Sequence, residues 1–402
     1  ISQDESSTER VVGNALSLRG ALSIVVLLTA IGIGWLLPYE PDIKFGIAIV
    51  SVALVFGLLN SSLLTVLQAR LRMDYAVISD IIGRGLSLLA VIYVAWQGLG
   101  FYAVVGTAVV GAVASFIVTA LFVRRFVPIK PLGDTALWKD LFRESLPLGV
   151  VIALTFIYFR LDTILLSLMR SNAEVGLYGS AFKVIEIMLT IPGFFVNSVF
   201  PVLSKYLSAG DGRVRDLVNQ SVGVLLMFGL PTAAGIALLA DPIIGLVAGS
   251  EFAGAGLALT LLAPALAFFF LDNFLGYLLV AKQKIQSLLA LTSVVLVINV
   301  VLNVLTIPQF GYVAAALNTV LSEILVFVIA IFIVRKHYGF YPSFRILPRL
   351  LVATGLMGGV VWLMKPAGLL PAVAAGAMVY GVGVYAFNGP AKAAWQLIRG
   401  KV

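Results

Sequence analysis

Four charged side chains stand inside two consecutive apolar segments of this 402-residue chain. Arg160 and Asp162 lie in the first segment, and Lys183 and Glu186 lie in the second. An ionisable group inside a membrane span is expensive and usually faces a cavity or a partner. Arg160 or Lys183 would bind an anionic headgroup in such a cavity, while Asp162 or Glu186 would hold or relay charge. The alternative is two ion pairs between helices with only a structural role.

Helix geometry sets where these four groups point. At about 1.5 Å rise per residue, all four lie roughly 10–16 Å from the outer ends of their spans. Arg160 and Asp162 are two positions apart and point in different directions, whereas Lys183 and Glu186 are three apart and share a face.

Three further groups complete the candidate set. Arg84 stands four residues after Asp80, a spacing that favours a local ion pair, and it is also a candidate cavity cation for the first lobe. Asp272 and Glu323 have no basic neighbour in sequence, so each is a candidate for the cavity or for cation coupling; for Asp272, snorkelling to the interface competes. The candidate site residues are Arg84, Arg160, Asp162, Lys183, Glu186, Asp272 and Glu323.

Amides recur in two later segments. Asn299 and Asn303 are four apart and share a helix face, and Asn318 lies in the next segment. Amides in membrane spans commonly join helices, although sugar hydroxyls also bind them. Both roles stay open at this point.

Composition decides which class of protein must position these groups. The chain is 61% hydrophobic and 11% charged, with a mean hydropathy of +1.07, whereas soluble domains carry about 25% charged residues. It is therefore an all-α polytopic membrane protein. With no Cys and one His, disulfides, cysteine metal sites and multi-histidine metal sites are excluded. The net charge of +8 is typical of membrane orientation, and we expect no nucleic-acid partner.

Twelve segments have the roughly 20 apolar residues that a membrane span needs. They lie at about 18–37, 44–68, 75–96, 99–123, 147–169, 175–203, 218–247, 254–281, 286–307, 311–334, 347–364 and 368–388. Of the 27 Lys and Arg residues, 21 lie in loops or at span ends on one side, three lie likewise on the other side, and three lie deeper inside spans. The basic side is cytoplasmic by the positive-inside rule, which places both termini of this chain in the cytoplasm. The far-side loops are all short, so we expect a transporter and not an enzyme.

An internal repeat relates the two halves of the chain. Residues 100–125 and 311–336 match at a constant offset of 211 positions, with Gly100 on Gly311 and Arg124 on Arg335. The offset carries four consecutive spans of the first lobe onto four of the second, which has two earlier spans as well. The repeat predicts that the first lobe lacks about two helices of a fourteen-helix protein. Six helices per repeat would set the lobes parallel, with a substrate site between them.

The predicted domains follow from this repeat. Residues 1–125 form an incomplete first lobe of four helices, and 126–145 form a cytoplasmic linker with an interfacial helix capped by Asp134 or Thr135. Residues 146–336 form a second lobe of six helices, and 337–402 form two extra helices and a C-terminal tail.

Two stretches carry a family resemblance. The first, RLDTILLSLMRSNAEVGLYGSAFKVIEIMLTIPGFFVNSVFPVLSKYL, includes Asp162, Tyr178, Lys183 and Pro192; the second is NVVLNVLTIPQFGYVAAALNTVLSE. Both resemble bacterial polysaccharide (O-antigen type) flippases of the multidrug/oligosaccharidyl-lipid/polysaccharide flippase superfamily. The resemblance implies fourteen helices in two lobes around a cationic cavity, which suits Arg160, Lys183 and Arg84.

The expected function follows from that resemblance. The chain would translocate undecaprenyl-pyrophosphate-linked oligosaccharide across the bacterial inner membrane by alternating access, for O-antigen or exopolysaccharide synthesis. The alternatives are a multidrug or cation antiporter of the same fold and a lipid-linked peptidoglycan precursor flippase. No cofactor is expected, and coupling to a proton or sodium gradient stays open. The expected partners are the lipid-linked oligosaccharide, membrane lipids, and a polysaccharide polymerase with its export machinery.

Overall fold

The fold is all-α, as the composition predicts. The computed structural model describes residues 5–70, 72–127 and 132–386, leaving aside some side chains near the start of α1 and in the first half of α5. The last residues of the predicted C-terminal tail, 387–402, lie outside the described residues. The described residues form fourteen α-helices: α1 Glu5–Leu36, α2 Pro41–Ala69, α3 Met73–Trp96, α4 Phe101–Val123, α5 Thr135–Met169, α6 Asn172–Met188, α7 Thr190–Ser208, α8 Val214–Leu238, α9 Ala240–Val247, α10 Ala255–Ala281, α11 Ile285–Phe310, α12 Tyr312–Tyr338, α13 Leu347–Met364 and α14 Leu369–Ala386.

Eleven helical stretches in the described part of the chain are long and apolar enough to cross a membrane. They correspond one to one with eleven of the twelve predicted spans. The remaining predicted span, 147–169, lies within α5, where several side chains are outside the described set. The prediction of a polytopic membrane protein is therefore confirmed.

The helix boundaries differ from the predicted ones in two ways. The predicted interfacial helix is not a separate element, because α5 runs without a break from Thr135 to Met169. Its start is capped as expected, since Asp134 Oδ1 accepts a hydrogen bond from the amide of Leu137 at 3.2 Å. In addition, two predicted spans are each divided, at Leu189 between α6 and α7 and at Leu239 between α8 and α9.

The chain forms two compact units, Ile1–Val150 and Val151–Val402. In the first unit, the main pairings are α1 with α2, α2 with α4, and α3 with α4. In the second unit, α8 pairs with α10, α10 with α12, and α11 with α12. These are the same three pairings at the 211-residue offset, so the repeat read from the sequence is also a repeat of helix packing.

Helix α10 is the centre of the second unit. It packs against α6, α7, α8 and α12, and it buries Phe270 and Phe274 completely. Gly229 of α8 faces Phe270, where a Cβ would lie 3.3 Å from the ring. Because lipid tails are as apolar as these side chains, close packing rather than water exclusion holds such helices together.

The turn between α11 and α12 is locked by a glycine and an ion pair. Gly311 has φ +57°, a conformation that L side chains rarely adopt. The carboxylate of Glu174 accepts a hydrogen bond from the amide of Tyr312 at 3.2 Å and forms an ion pair with Arg170 at 2.8 Å. Arg170 also donates to the carbonyl of Pro308 at 3.3 Å. This network ties the end of α5 and the start of α6 to the α11–α12 turn.

Candidate functional site

A buried polar cluster in the second unit is centred on Asp162. This α5 side chain is 5% exposed. Its Oδ1 accepts a hydrogen bond from Asn303 of α11 at 2.6 Å. Its Oδ2 accepts from Thr319 of α12 at 2.6 Å and from Tyr178 of α6 at 3.2 Å. One carboxylate therefore joins four helices.

A chain of amides extends this cluster along α11 and α12. The side-chain amide of Asn303 also donates to Oδ1 of Asn299 at 2.9 Å, and that of Asn318 donates to Oδ1 of Asn303 at 2.9 Å. Asn299 donates in turn to Ser322 at 3.0 Å. Asn299 and Asn303 share a helix face, as their spacing predicts, and these amides do join helices.

Glu323 and Asp272 form the acidic end of the cluster. Glu323 is 2% exposed and accepts a hydrogen bond from the hydroxyl of Tyr158. Asp272 of α10 lies beside Glu323. Both carboxylate oxygens of Asp272 are buried, and neither meets a hydrogen-bond donor within the described residues. The sequence gives no hint that these two acids, far apart along the chain, are neighbours.

A small cavity of about 10 Å³ adjoins the cluster. Polar groups of Tyr158, Asp162, Asn299, Thr319 and Glu323 line it, together with three phenylalanines. A space of this size holds about one water molecule. The arrangement can therefore hold one small polar or cationic guest against two carboxyl groups.

The other charges predicted on α5 and α6 form a separate, more exposed group. Glu186 forms ion pairs with Arg160 at 2.8 Å and with Lys183 at 3.0 Å. Lys183 is 64% exposed and Arg160 51% exposed. This group carries two positive charges and one negative charge. Asp162 points away from it, as its two-residue spacing from Arg160 predicts. A function for these residues stays a prediction.

Arg84 lies in the first unit, on α3. It forms the predicted i,i+4 ion pair with Asp80, with Nε 2.7 Å from the carboxylate. The arginine side chain is nevertheless 80% exposed, so the pair does not bury it.

Four cluster residues were neither among the predicted site residues nor among the predicted amides: Tyr158, Tyr178, Thr319 and Ser322. Their types are ordinary in membrane spans. Tyr158 and Thr319 meet acids that lie 165 and 157 positions away in sequence, and Tyr178 meets Thr319 at a separation of 141 positions. The sequence signal nearest to them was the pair of amides, Asn299 and Asn303, one turn apart on α11.

The sequence of this chain is similar to those of known polysaccharide biosynthesis proteins. The sequence model of a family described as "Polysaccharide biosynthesis protein" matches residues 3–257. The "Probable low-salt glycan biosynthesis flippase Agl15" of Haloferax volcanii is 27% identical over 168 residues, which is 42% of this chain and 36% of that protein. The "Probable flippase AglR" of the same organism is 24% identical over 235 residues, which is 56% of this chain and 49% of that protein. The chain thus spans about a third and about half of the lengths of these two relatives.

One solved structure has a closely similar fold. The "Lipid II flippase MurJ, inward closed conformation" superposes with a TM-score of 0.81, covering 96% of this chain and 85% of that chain. The two sequences are 14% identical, so this likeness concerns the fold alone.

Proposed function

Because this chain belongs to the polysaccharide biosynthesis protein family, we propose that it is a flippase that translocates undecaprenyl-pyrophosphate-linked oligosaccharide across a bacterial inner membrane. The family match over residues 3–257 carries the proposal, and both curated relatives have names that include "flippase". Translocation would proceed by alternating access, for synthesis of a polysaccharide such as O-antigen or exopolysaccharide. We place the basic loops and both termini on the cytoplasmic side.

The exposed ionic group of the second unit is our candidate for the diphosphate. Arg160 lies nine residues before the end of α5, roughly 14 Å along the helix, and is half exposed. A charge at that depth is unfavourable against lipid. We therefore assign Arg160 and Lys183 to an aqueous path, where their excess positive charge over Glu186 would attract phosphate oxygens.

Transport by purified protein in liposomes tests the proposal. The substrate would be undecaprenyl-pyrophosphate-linked oligosaccharide with a fluorescent sugar, and translocation would be read as loss of access to a membrane-impermeant quencher. We expect Arg160→Ala with Lys183→Ala to weaken substrate binding by at least about tenfold. Arg213→Ala is the matched control, because its ion pair with Asp211 lies in a loop outside the spans.

The outcomes separate the proposed flippase from its rivals. Failure of the wild-type protein to move the labelled lipid would reject the proposal. Movement of organic cations instead would identify an antiporter, and selective movement of a lipid-linked peptidoglycan precursor would identify that flippase. If transport falls equally in the double variant and in the Arg213 control, Arg160 and Lys183 are not part of the substrate site.

We further propose that a proton or a sodium ion binds at the buried cluster and couples transport to a gradient. In the described part of the chain, no ion pair joins Asp162, Asp272 or Glu323 to a basic side chain. A buried carboxylate without a cation is strongly unfavourable. A proton held between Asp272 and Glu323 would supply the donor that the Asp272 oxygens lack. A sodium ion beside Asp162 would supply the same neutralisation.

Imposed gradients distinguish the two ions. Transport driven by a pH gradient alone, and lost in Glu323→Gln, would support the proton. Transport driven by a sodium gradient alone, and lost in Asp162→Asn, would support sodium. Transport that responds to neither gradient would reject coupling at this cluster.

A further inference from the structure

An open groove of about 280 Å³ lies within the first unit, between α2, α3 and α4. Its polar lining comes from Asn60 of α2, from Asp80, Arg84 and Ser87 of α3, and from Ser115 of α4. The volume is close to the lower end of the roughly 300–1,000 Å³ that is typical of small-molecule sites. The groove has room for about one small ring.

Two glycines set the floor of the groove. A Cβ on Gly83 would lie 2.7 Å from the Cβ of Ser115, and a Cβ on Gly111 would lie 2.8 Å from the Cβ of Ser87. Small residues four positions apart on both α3 and α4 let the two backbones approach closely. The serines are therefore held on rigid, closely packed helices, as a binding site requires.

Polar atoms in the groove have hydrogen-bonding capacity to spare. Asn60 donates to Ser115 at 3.2 Å, but its carbonyl oxygen is buried and accepts no hydrogen bond from the described residues. Arg84 uses Nε for its bond to Asp80, and these two side chains are 80% and 58% exposed. Arg84 lies near the middle of α3, where exposure of a charge to lipid is strongly unfavourable. A polar ligand in the groove would hydrogen-bond Asp80 and Arg84.

The internal repeat shows that the equivalent helices of the second unit carry no polar groups at these positions. Helices α10, α11 and α12 pair as α2, α3 and α4 do, yet the positions 211 residues after the five polar ones are all apolar. They are Leu271, Leu291, Val295, Ile298 and Val326. The first three are buried in the core of the second unit. In the second unit, apolar side chains suffice for packing at these positions. Helix packing alone therefore does not explain the five polar residues of the first unit.

We propose that this groove binds a sugar ring of the glycan headgroup, an inference that rests on the proposed flippase function. The charge of Arg84 is already opposed by Asp80, so the groove favours a neutral ligand over the diphosphate. The Asp80 carboxylate is an acceptor, the Arg84 guanidinium is a donor, and the hydroxyls of Ser87 and Ser115 are both. Sugar hydroxyls both donate and accept, so they match this mixed set.

Binding of two lipids to the purified protein tests the proposal. The probes are undecaprenyl pyrophosphate with one N-acetylglucosamine and the same lipid without sugar, with dissociation constants measured by native mass spectrometry. We expect wild-type protein to bind the sugar-bearing lipid at least about tenfold more tightly. Asp80→Leu with Arg84→Val installs the residues of the second unit, and it should abolish this preference while leaving affinity for the bare lipid unchanged.

Two more variants separate recognition from folding. Exchange of the charges, Asp80→Arg with Arg84→Asp, keeps an i,i+4 pair but moves the long guanidinium and the short carboxylate one turn along α3. The groove then has a different shape, so the exchange should abolish the sugar preference at unchanged melting temperature. Asp74→Leu with Arg72→Val removes a matched ion pair of 2.7 Å at the start of α3, outside the groove, and should keep the preference.

The possible results fall into distinct classes. Wild-type protein that binds neither lipid would refute the flippase function, and the inference with it. Equal binding of both lipids would refute the sugar site alone, as would a preference that survives both groove variants. If the charge-exchange variant binds neither lipid at unchanged melting temperature, the groove binds the diphosphate and the proposal is wrong.

Discussion

Replacing Asp162 by alanine should destabilise the second unit far more than replacing it by asparagine. The carboxylate accepts three hydrogen bonds, from Asn303, Thr319 and Tyr178. Alanine removes both acceptor oxygens, and with them all three hydrogen bonds, from a buried site. At about 0.6–1.7 kcal/mol for each polar contact between membrane helices, the expected loss is about 2–5 kcal/mol of unfolding free energy.

Asparagine keeps most of this network. Its carbonyl still accepts from Asn303, and its amide can donate to the hydroxyls of Thr319 and Tyr178, because a hydroxyl accepts as well as donates. We therefore expect Asp162→Asn to change stability by less than about 1 kcal/mol. Its effect should fall on ion coupling instead, because the negative charge is gone.

Unfolding in mixed detergent micelles, followed by tryptophan fluorescence, measures both variants. Ser198→Ala is a suitable control, since this exposed hydroxyl bonds only within its own helix, to Phe194. An alanine variant as stable as wild type would show that the cluster contributes nothing to folding. An asparagine variant as unstable as the alanine one would show that the charge, with a bound cation, holds the cluster together.

Three further substitutions test the packing described above. Gly83→Ala should destabilise the first unit by about 1–3 kcal/mol, because the new Cβ would lie 2.7 Å from the facing serine of α4; Gly85→Ala, with nothing within 4 Å, should be neutral or better in the same unfolding assay. Gly311→Ala should lower the melting temperature, because it combines a positive φ with a Cβ 2.0 Å from the Glu174 carboxylate; unchanged melting would contradict the locked turn. Asp134→Ala should cost about 1 kcal/mol through loss of the α5 cap, and rescue by serine but not by leucine would identify the cap as the cause.

Local spacing predicted the local features of the candidate site. The Asp80–Arg84 pair, the shared face of Asn299 and Asn303, and the divergence of Arg160 from Asp162 all follow from 3.6 residues per turn. Hydropathy likewise predicted the membrane spans, because length and apolar content suffice to identify a spanning helix. The same local signals misplaced a helix boundary near residue 145, where α5 continues. Backbone groups in or near a membrane are best satisfied by unbroken helix.

The repeat extended prediction beyond single helices. One offset, read from the match of Gly100 to Gly311, anticipated that four helices of each half would pair in the same order. The same offset also shows where the two halves differ. Five polar residues of the first unit have apolar residues at the equivalent positions of the second unit. This difference in polarity between the two halves singles out the groove that contains Asn60 and Arg84.

The sequence by itself determined the class of protein, its spans, its internal repeat and the local pairing of charges. Tertiary structure alone decided that Asp162 meets Asn303 and Thr319, that Glu323 meets Tyr158 and Asp272, and that Arg84 borders a groove. The physical reason is the range of each signal. Helical periodicity determines which residues three or four positions apart are neighbours. Contacts between residues more than 100 positions apart depend instead on which helix faces pack together. In a membrane, where most faces are apolar, close packing decides this.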